Sequence, residues 1–302
     1  MAKLDLFTTL IQKISETQSQ APHSYRLFHG RGGRYEGLEH ICVDQFGEIL
    51  LVTLFKEEEC FNLLLEMLSK TDHKKAYIQK RYLQRAEIEC FKGQEVEVET
   101  FAKWNDLKFH LNFHGIQNLG YFLDMEKGRQ YVHDHSKGRK ILNLFSFTCA
   151  LSVIAKDAGA ESVLNVDMSK GVLKRGRENH QLNGHDLRSV SFLSHDIMKS
   201  MGKLTKLGPF DGIILDPPTS QGKSFQIEKD YPKILRRVSS MLSPGAWLMA
   251  CVNSPFLEVS TIKDWFESNC EDLEFQEVFY SCESFEELRD SSGLKVLIYK
   301  KT

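Results

Sequence analysis

The sequence predicts an α/β protein: a doubly wound, mostly parallel sheet ending in an antiparallel pair, preceded by a small α+β domain. Three observations carry that expectation. From Ile141 onward, short apolar runs alternate with helix-period segments, the signature of parallel strands joined by crossover helices. Acidic residues close three of these strands, Asp167, Asp196 and Asp216. The third strand opens F-D-G-I-I-L-D-P-P-T, Phe210 to Thr219. Its Ile213-Ile214-Leu215 core is apolar on both faces, as in a strand covered on both sides. Pro217 and Pro218 then fix their φ angles and donate no backbone hydrogen bond, which makes a stiff turn at the strand's carboxyl end. In open α/β sheets ligands sit at that end.

Composition bounds the function. The 302 residues are 41% hydrophobic, enough for a sizeable core. Lys and Arg total 39 against 41 Asp and Glu, a net charge of −2. A dedicated non-specific nucleic-acid binder carries a basic excess, so RNA contacts would come from local patches. Seven cysteines without a C-x-x-C pair fit a reducing compartment and oppose a disulfide framework or a zinc ribbon. The amino terminus reads as an amphipathic helix with Leu6, Leu10 and Ile14 on one stripe, not as a signal peptide. The apolar run Ile49 to Phe55 is too short to span a membrane. A cytoplasmic protein is expected, with no membrane partner; nothing in the pattern specifies an oligomer.

In chain order, residues 1 to about 20 are the first helix. Tyr25 to Phe55 reads as strand, glycine-rich loop, strand, turn at Gln45-Phe46-Gly47, strand. The loop Gly30-Arg31-Gly32-Gly33-Arg34 lacks the Lys-Ser/Thr of a phosphate loop and is read as a structural turn. Residues 57 to 70 are a helix with Phe61, Leu64, Leu65 and Leu68 on one face. Lys74 to Arg85 is basic, with Tyr77 and Tyr82 interleaved, and reads as an amphipathic strand able to meet RNA. Glu95 to Phe101 alternates like an exposed strand. These features give a first domain over 1–112, for substrate recognition, and a second over 113–302.

In the second domain the expected elements are strand Ile141–Phe145, helix Thr148–Asp157, strand Ser162–Val166 and helix Lys170–Leu182. Strands Val190–Leu193 and Phe210–Leu215 follow, then helix Asp230–Leu242 stopped by Pro244-Gly245. Strand Ala246–Val252, helix Val259–Asn269 and strands Phe275–Tyr280 and Leu294–Tyr299 complete the chain.

Asp167 lies about twenty residues past the first strand, where nucleotide-binding folds place a ribose-binding carboxylate. Asp196 can accept from an exocyclic amine such as that of adenine. The loop S-F-T-C-A-L-S after Phe145 has no G-x-G-x-x-G, so no pyrophosphate is expected and a nucleoside ligand fits better. The ligand inferred is S-adenosylmethionine. His110 with His114, and His133 with His135, lack a third ligand, so no metal is expected.

From Tyr25 to the carboxyl terminus the chain resembles the class I methyltransferases that modify large-subunit ribosomal RNA, a family with cytosine-C5 and guanine-N7 enzymes. The matching pieces are R-L-F-H-G, V-D-Q-F-G-E, G-Y-F-L-D-M-E-K-G-R, I-L-N-L-F-S-F-T, V-D-M-S, H-D-I and L-D-P-P-T. The resemblance implies a Rossmann-like fold with Asn143, Phe145, Ser146, Thr148 and Met168 beside the methyl donor, Asp167 on its ribose, and Asp196 and Ile197 at its adenine. It implies Asp216, Pro217 and Pro218 at the target base. Phe122, Asp124 and Arg129 fall in the matched pre-core stretch, with Phe122 and Arg129 expected at the donor. Cys149 and Ala150 stand where the family carries glycines. Many members begin with an RNA-binding PUA domain, and no such extension is found here.

Carbon methylation at cytosine C5 needs a cysteine to add at C6. Aligned on W-L-M-A-C-V-N-S-P-F, the family's cysteine position falls on Asn253, while Cys251 lies two residues earlier and reads as a core residue. Asn253 resembles the guanine-N7 branch, where an in-plane lone pair needs only alignment. Lys233, Arg236 and Arg237 sit on a helix that could face the substrate. The favoured reading is N-methylation of a purine in large-subunit ribosomal RNA. Cytosine-C5 methylation, a small-molecule or protein substrate, and a non-catalytic RNA-binding factor stay open at this point.

Overall fold

The computed structural model describes residues 3–18, 21–114, 118–222 and 224–302. The outer ends of the expected first helix, at 1–2 and 19–20, lie outside the described residues. The chain divides into two compact units, Met1–Leu123 with Glu283–Arg289, and Asp124–Cys282 with Asp290–Thr302. The division falls eleven residues past the boundary expected at 112–113, and residues 283–289 count with the first unit. There Glu286 accepts from Tyr35 Oη at 2.6 Å, and Glu287 faces His29 Nε2 at 3.1 Å.

In the first unit, α1 (Lys3–Gln18) buries Phe7, Leu10 and Ile14. Strands β1 (Ser24–His29), β2 (Ile41–Phe46) and β3 (Ile49–Leu54) form an antiparallel meander. Helix α2 (Phe61–Ser69) crosses to β4 (Lys75–Lys80), parallel to β3, and β5 (Ile88–Lys92) closes the five-stranded sheet. The glycine loop is the turn expected. A Cβ on Gly30 would lie 2.0 Å from the Leu38 carbonyl oxygen, so the backbones meet too closely for any side chain. Residues 95–100 form no strand: they are largely exposed and join no sheet ladder, and regular structure resumes at β6 (Phe101–Trp104), hairpin partner of β7 (Leu107–His110). Among the expected RNA-facing residues, Tyr77 stacks on Phe113 at 4.5 Å, and Lys74 and Lys80 pair with Glu48 and Glu89.

The second unit opens with α3 (Glu126–His135), followed by β8 (Lys140–Leu144), α4 (Ala150–Asp157), β9 (Ser162–Asp167) and α5 (Lys170–Leu182). Then come β10 (Val190–Ser194), α6 (Ile197–Leu207), β11 (Phe210–Leu215) and the short hairpin β12 (Ser220–Gln221) with β13 (Phe225–Gln226). Helix α7 (Ile227–Val238), β14 (Leu242–Asn253), α8 (Val259–Asn269), β15 (Leu273–Tyr280) and β16 (Leu294–Lys301) complete it. The sheet order is β10-β9-β8-β11-β14-β16-β15, with β16 antiparallel between β14 and β15. Alternate residues of β8 serve opposite faces. Leu142 and Leu144 join the core that Ile197, Leu204, Ile234 and Ile262 build from α6, α7 and α8, while Asn143 turns the other way, to Asn165.

Two elements depart from expectation. The sequence reading leaves 197–209 unassigned, yet α6 lies there, capped by Asp196 and burying Ile197, Met201 and Leu204. Pro244-Gly245 does not stop a helix. It lies inside β14, where pairing jumps from Phe210↔Leu242 to Gly212↔Trp247 and Gly245 takes φ +76°. A bulge absorbs the extra residues, and a positive φ there suits glycine.

Candidate active site

The loop from β8 to α4 has unusual backbone geometry. Phe145, Phe147 and Cys149 take φ of 57°, 46° and 60°, alternating with ordinary residues. Each left-handed non-glycine residue costs about 1–2 kcal/mol, so the surrounding contacts must fix the path. Ser146 N donates to Val166 O at 3.1 Å, Phe147 N to Asp167 Oδ2 at 3.0 Å, and Asn179 Nδ2 to Thr148 O at 3.0 Å. Helix α4 starts at Ala150 rather than Thr148 because these turns delay it. Strain held this way clusters at functional sites.

Asp167 is the hub. Its Oδ1 accepts from Ser169 N at 2.9 Å, and its main-chain oxygen accepts from His195 N at 3.0 Å. One residue thus ties the carboxyl ends of β8, β9 and β10. Each carboxylate oxygen keeps a second lone pair for a ligand hydroxyl. Met168 is 42% exposed beside it. Asp196 caps α6 through Lys199 N at 3.3 Å and faces Lys199 Nζ at 3.3 Å. The Ile197 side chain is buried, so its open group is the first main-chain N–H of α6. Ser146 Oγ is buried and makes no hydrogen bond among the described residues.

Other expected donor residues lie deeper. Asn143 is buried and donates to Asn165 Oδ1 at 3.0 Å. Asn165 continues to Ser152 Oγ at 2.9 Å, Ser152 to His180 Nε2 at 2.9 Å, and His180 Nδ1 to His185 Nδ1 at 3.0 Å. This polar chain runs behind the loop. Arg129 is buried and donates to Glu126 at 2.7 Å. Phe122, 45% exposed, belongs to the first unit. Cys149 is fully buried, and burial pushes its thiol up to about 12. It offers no surface that would crowd a ligand.

The second cluster sits at the ends of β11 and β14. Pro217 is buried and Pro218 exposed. Thr219 Oγ1 donates to Asn253 O at 2.6 Å, clasping the D-P-P-T turn to the end of β14. Asn253 Nδ2 donates to Asp124 Oδ2 at 3.3 Å. Burial, and then the charge of Asp124, push the Asp216 carboxyl up to about 7. Cys251 shares the strand face of Asn253 but is fully buried; burial, and then Asp216 and Asp124, push its thiol well above the ordinary value. The loop beyond Asn253 is held by Lys295, a fully buried lysine donating to Ser254 O at 2.8 Å and Gly293 O at 3.0 Å. Phe256 on that loop is 87% exposed. Asp124 enters the cluster from a matched motif without an assigned role. Lys295 and Phe256 carry no signal in sequence spacing. On α7, Lys233 pairs with Asp230 and Arg236 donates to Asn269.

Among the described residues, no group of three or more His, Cys, Asp or Glu could hold a metal ion. No described helix is long and apolar enough to cross a membrane.

Known proteins resemble this chain along most of its length. The profile of a family of S-adenosylmethionine-dependent methyltransferases matches residues 25–300. Ribosomal RNA large subunit methyltransferase I of Aeromonas salmonicida is 25% identical over 275 residues, 85% of this chain and 69% of its own length. Ribosomal RNA large subunit methyltransferase K/L of Shewanella sp. MR-4 is 30% identical over 253 residues, 79% of this chain but 36% of its own; the chain thus spans about a third of that relative. The solved methyltransferase SMU.776, complexed with SAH, superposes with a TM-score of 0.87 over 97% of this chain and 81% of its own, at 22% identity. That likeness shows the fold, a Rossmann-like class I methyltransferase.

Proposed function

The chain belongs to the S-adenosylmethionine-dependent methyltransferase family, and on that premise we propose that it methylates large-subunit ribosomal RNA at N7 of a guanine. One observation carries the choice of atom. The position that carbon methylation fills with a nucleophilic cysteine holds Asn253, bonded to Asp124, while the nearby Cys251 is buried with its thiol pushed well above its ordinary value. A thiolate is the reactive form, so the addition needed for a cytosine carbon is disfavoured. The printed names of the two relatives, both ribosomal RNA large subunit methyltransferases, support the substrate class.

The residues fit the donor. Ser146 Oγ is a buried polar atom without a hydrogen bond among the described residues, and Asp167 keeps acceptor capacity beside exposed Met168. Asp167 would hold the ribose, Asp196 and the Ile197 N–H the adenine, and the strained Phe145–Cys149 loop the rest. When bound, the donor supplies a sulfonium-activated methyl that a ring-nitrogen lone pair can take without a base. The rigid Asp216–Thr219 turn, clasped to Asn253, would align the base, a contribution of orientation rather than of covalent chemistry.

The test is transfer of labelled methyl groups to ribosomal RNA from a strain lacking the protein, followed by nucleoside digestion. Label in 7-methylguanosine is expected. Label in 5-methylcytosine would overturn the choice of atom, and transfer only to small molecules or protein would overturn the RNA substrate.

A further inference from the structure

The turn after β14 holds an aromatic ring out in solvent. Phe256 is 87% exposed, and no other Phe, Tyr or Trp among the described residues of the second unit is exposed. The backbone that carries it is fixed on both sides. Ser254 is buried; its carbonyl oxygen accepts from Lys295 Nζ at 2.8 Å, and its Oγ accepts from Phe256 N at 3.3 Å. Leu257 is buried in the core that Ile262 and Phe266 of α8 help to build. Pro255, between them, has a fixed φ. Lys295 is fully buried and also donates to the carbonyl oxygens of Gly293, at 3.0 Å, and Ser291. Burying an ammonium is costly unless its N–H groups are met, and main-chain carbonyls meet it here. The result is a short turn, 254–257, pinned at both ends with its ring in water.

The position of this turn in the sheet says what the ring can meet. Asn253 ends β14 at the carboxyl edge, where ligands of open α/β sheets sit. Thr219 Oγ1 donates to Asn253 O at 2.6 Å, so the D-P-P-T turn and the Phe256 turn share a root. Three residues of chain reach at most about 10 Å, which keeps Phe256 close to that root. No Lys or Arg lies between Asn253 and Ile262, so the turn has no grip on phosphate. Asn253 and Thr219 are exposed and polar, unlike the surroundings of an aromatic anchor in an apolar protein interface. A lone ring bordered by polar groups suits a flat heterocycle lifted out of its stack. Resting on the reading that RNA is the substrate, we propose that Phe256 stacks on the face of the target base. Polar groups can hold the edge of a base, but a ring against its face fixes its plane, and alignment of a ring nitrogen for attack requires that plane to be fixed. Stacking tolerates every base, so Phe256 holds the nucleotide without selecting it.

Kinetics and fluorescence test the assignment. On ribosomal RNA from a strain lacking the protein, Phe256→Ala should lower kcat/KM by about five- to a hundredfold, the loss typical of one stacked base. Phe256→Trp should keep most of the activity. The factor lost by Phe256→Ala should be the same at about 50 mM and about 200 mM salt, because no phosphate contact is removed. Calorimetric binding of S-adenosylmethionine by Phe256→Ala should match the wild type, since an exposed ring supports neither the fold nor the donor site. Once the methylated nucleotide is mapped, a synthetic oligonucleotide spanning it is titrated into Phe256→Trp without the donor. The indole fluorescence should fall further than that of the wild type, and an oligonucleotide with an abasic ribose at the target should not produce the fall. Unchanged kcat/KM for Phe256→Ala on RNA that the wild type methylates overturns the assignment of Phe256, and so does quenching that survives removal of the base. A loss that shrinks at the higher salt would mark a phosphate contact and overturn stacking. Failure of the wild type to methylate any RNA overturns the reading beneath it.

Discussion

The thiol of Cys149 fills the space above Gly176 of α5: a Cβ on Gly176 would lie 2.3 Å from Cys149 Sγ and 2.9 Å from its Cβ. Cys149 takes φ 60°, a left-handed conformation that favours glycine, in the loop from β8 to α4 that is proposed to hold the donor. The side chain is accommodated because α5 has none opposite it. Alanine at 176 should therefore destabilise the protein by about 1–3 kcal/mol through overpacking. Cys149→Gly in the same chain should recover most of that loss, since it removes the clashing atoms and relieves the backbone. Urea unfolding of the two single variants and the double variant measures the coupling. Additive losses would mean that the two residues do not share the space.

Asp167 binds two loop N–H groups and is assigned the donor ribose. Asp167→Ala should weaken S-adenosylmethionine binding by at least about tenfold, since hydrogen bonds to a charged acceptor contribute about 1.5–3 kcal/mol each. Isothermal calorimetry reads it. Unchanged affinity would remove Asp167 from the donor site.

Cys251→Ser should keep most of the methyl transfer to RNA, because the thiol is buried and far from ionised at neutral pH. Initial rates on ribosomal RNA decide it. Loss of transfer by a folded variant, or a covalent adduct with 5-fluorocytosine RNA, would restore cytosine-C5 chemistry.

Two buried groups titrate in opposite directions. Burial, then His185 and neighbouring cations, push His180 from 6.5 down to about 3. Below pH 6.5 the unfolded histidine takes up a proton that the folded one refuses, so stability falls as pH drops. Asp216 goes from 3.8 up to about 7. Between these values the folded carboxyl keeps a proton that the unfolded one has released, so its contribution is lost as pH rises. Asp216→Asn removes the second effect. Its stability relative to wild type should rise with pH between about 4.5 and 7, by up to about 1.4 kcal/mol per unit. His180→Gln should show the opposite slope. Urea midpoints across that range read both, and parallel curves for variant and wild type would refute the titration assigned to that residue.

Local spacing made much of this protein legible from sequence. The alternation from Ile141, the strand-end acids Asp167 and Asp216, and helices such as Lys170–Leu182 follow from periodicity and capping over a few residues. So did the burial of Cys251, since an apolar strand covered on both faces leaves its thiol no exit. The tertiary structure decided what depends on partners distant in the chain. Asp124 meets Asn253 across 129 positions, because β14 carries its end beside the residue that precedes α3. Helix α6 escaped notice because Ile197, Met201 and Leu204 make a short stripe among lysines, apolar enough only against the α7 core. That Asn143, expected at the donor, binds Asn165 on the opposite pleat of β8 from Leu142 and Leu144 was likewise settled only by the assembled sheet. The left-handed turns at 145, 147 and 149 have no sequence signature at all. Non-glycine residues adopt them here only because Val166, Asp167 and Asn179 bind the loop and Gly176 clears room for Cys149. Propensity acts within a few residues; strain and charge are settled by packing, which only the assembled sheet supplies.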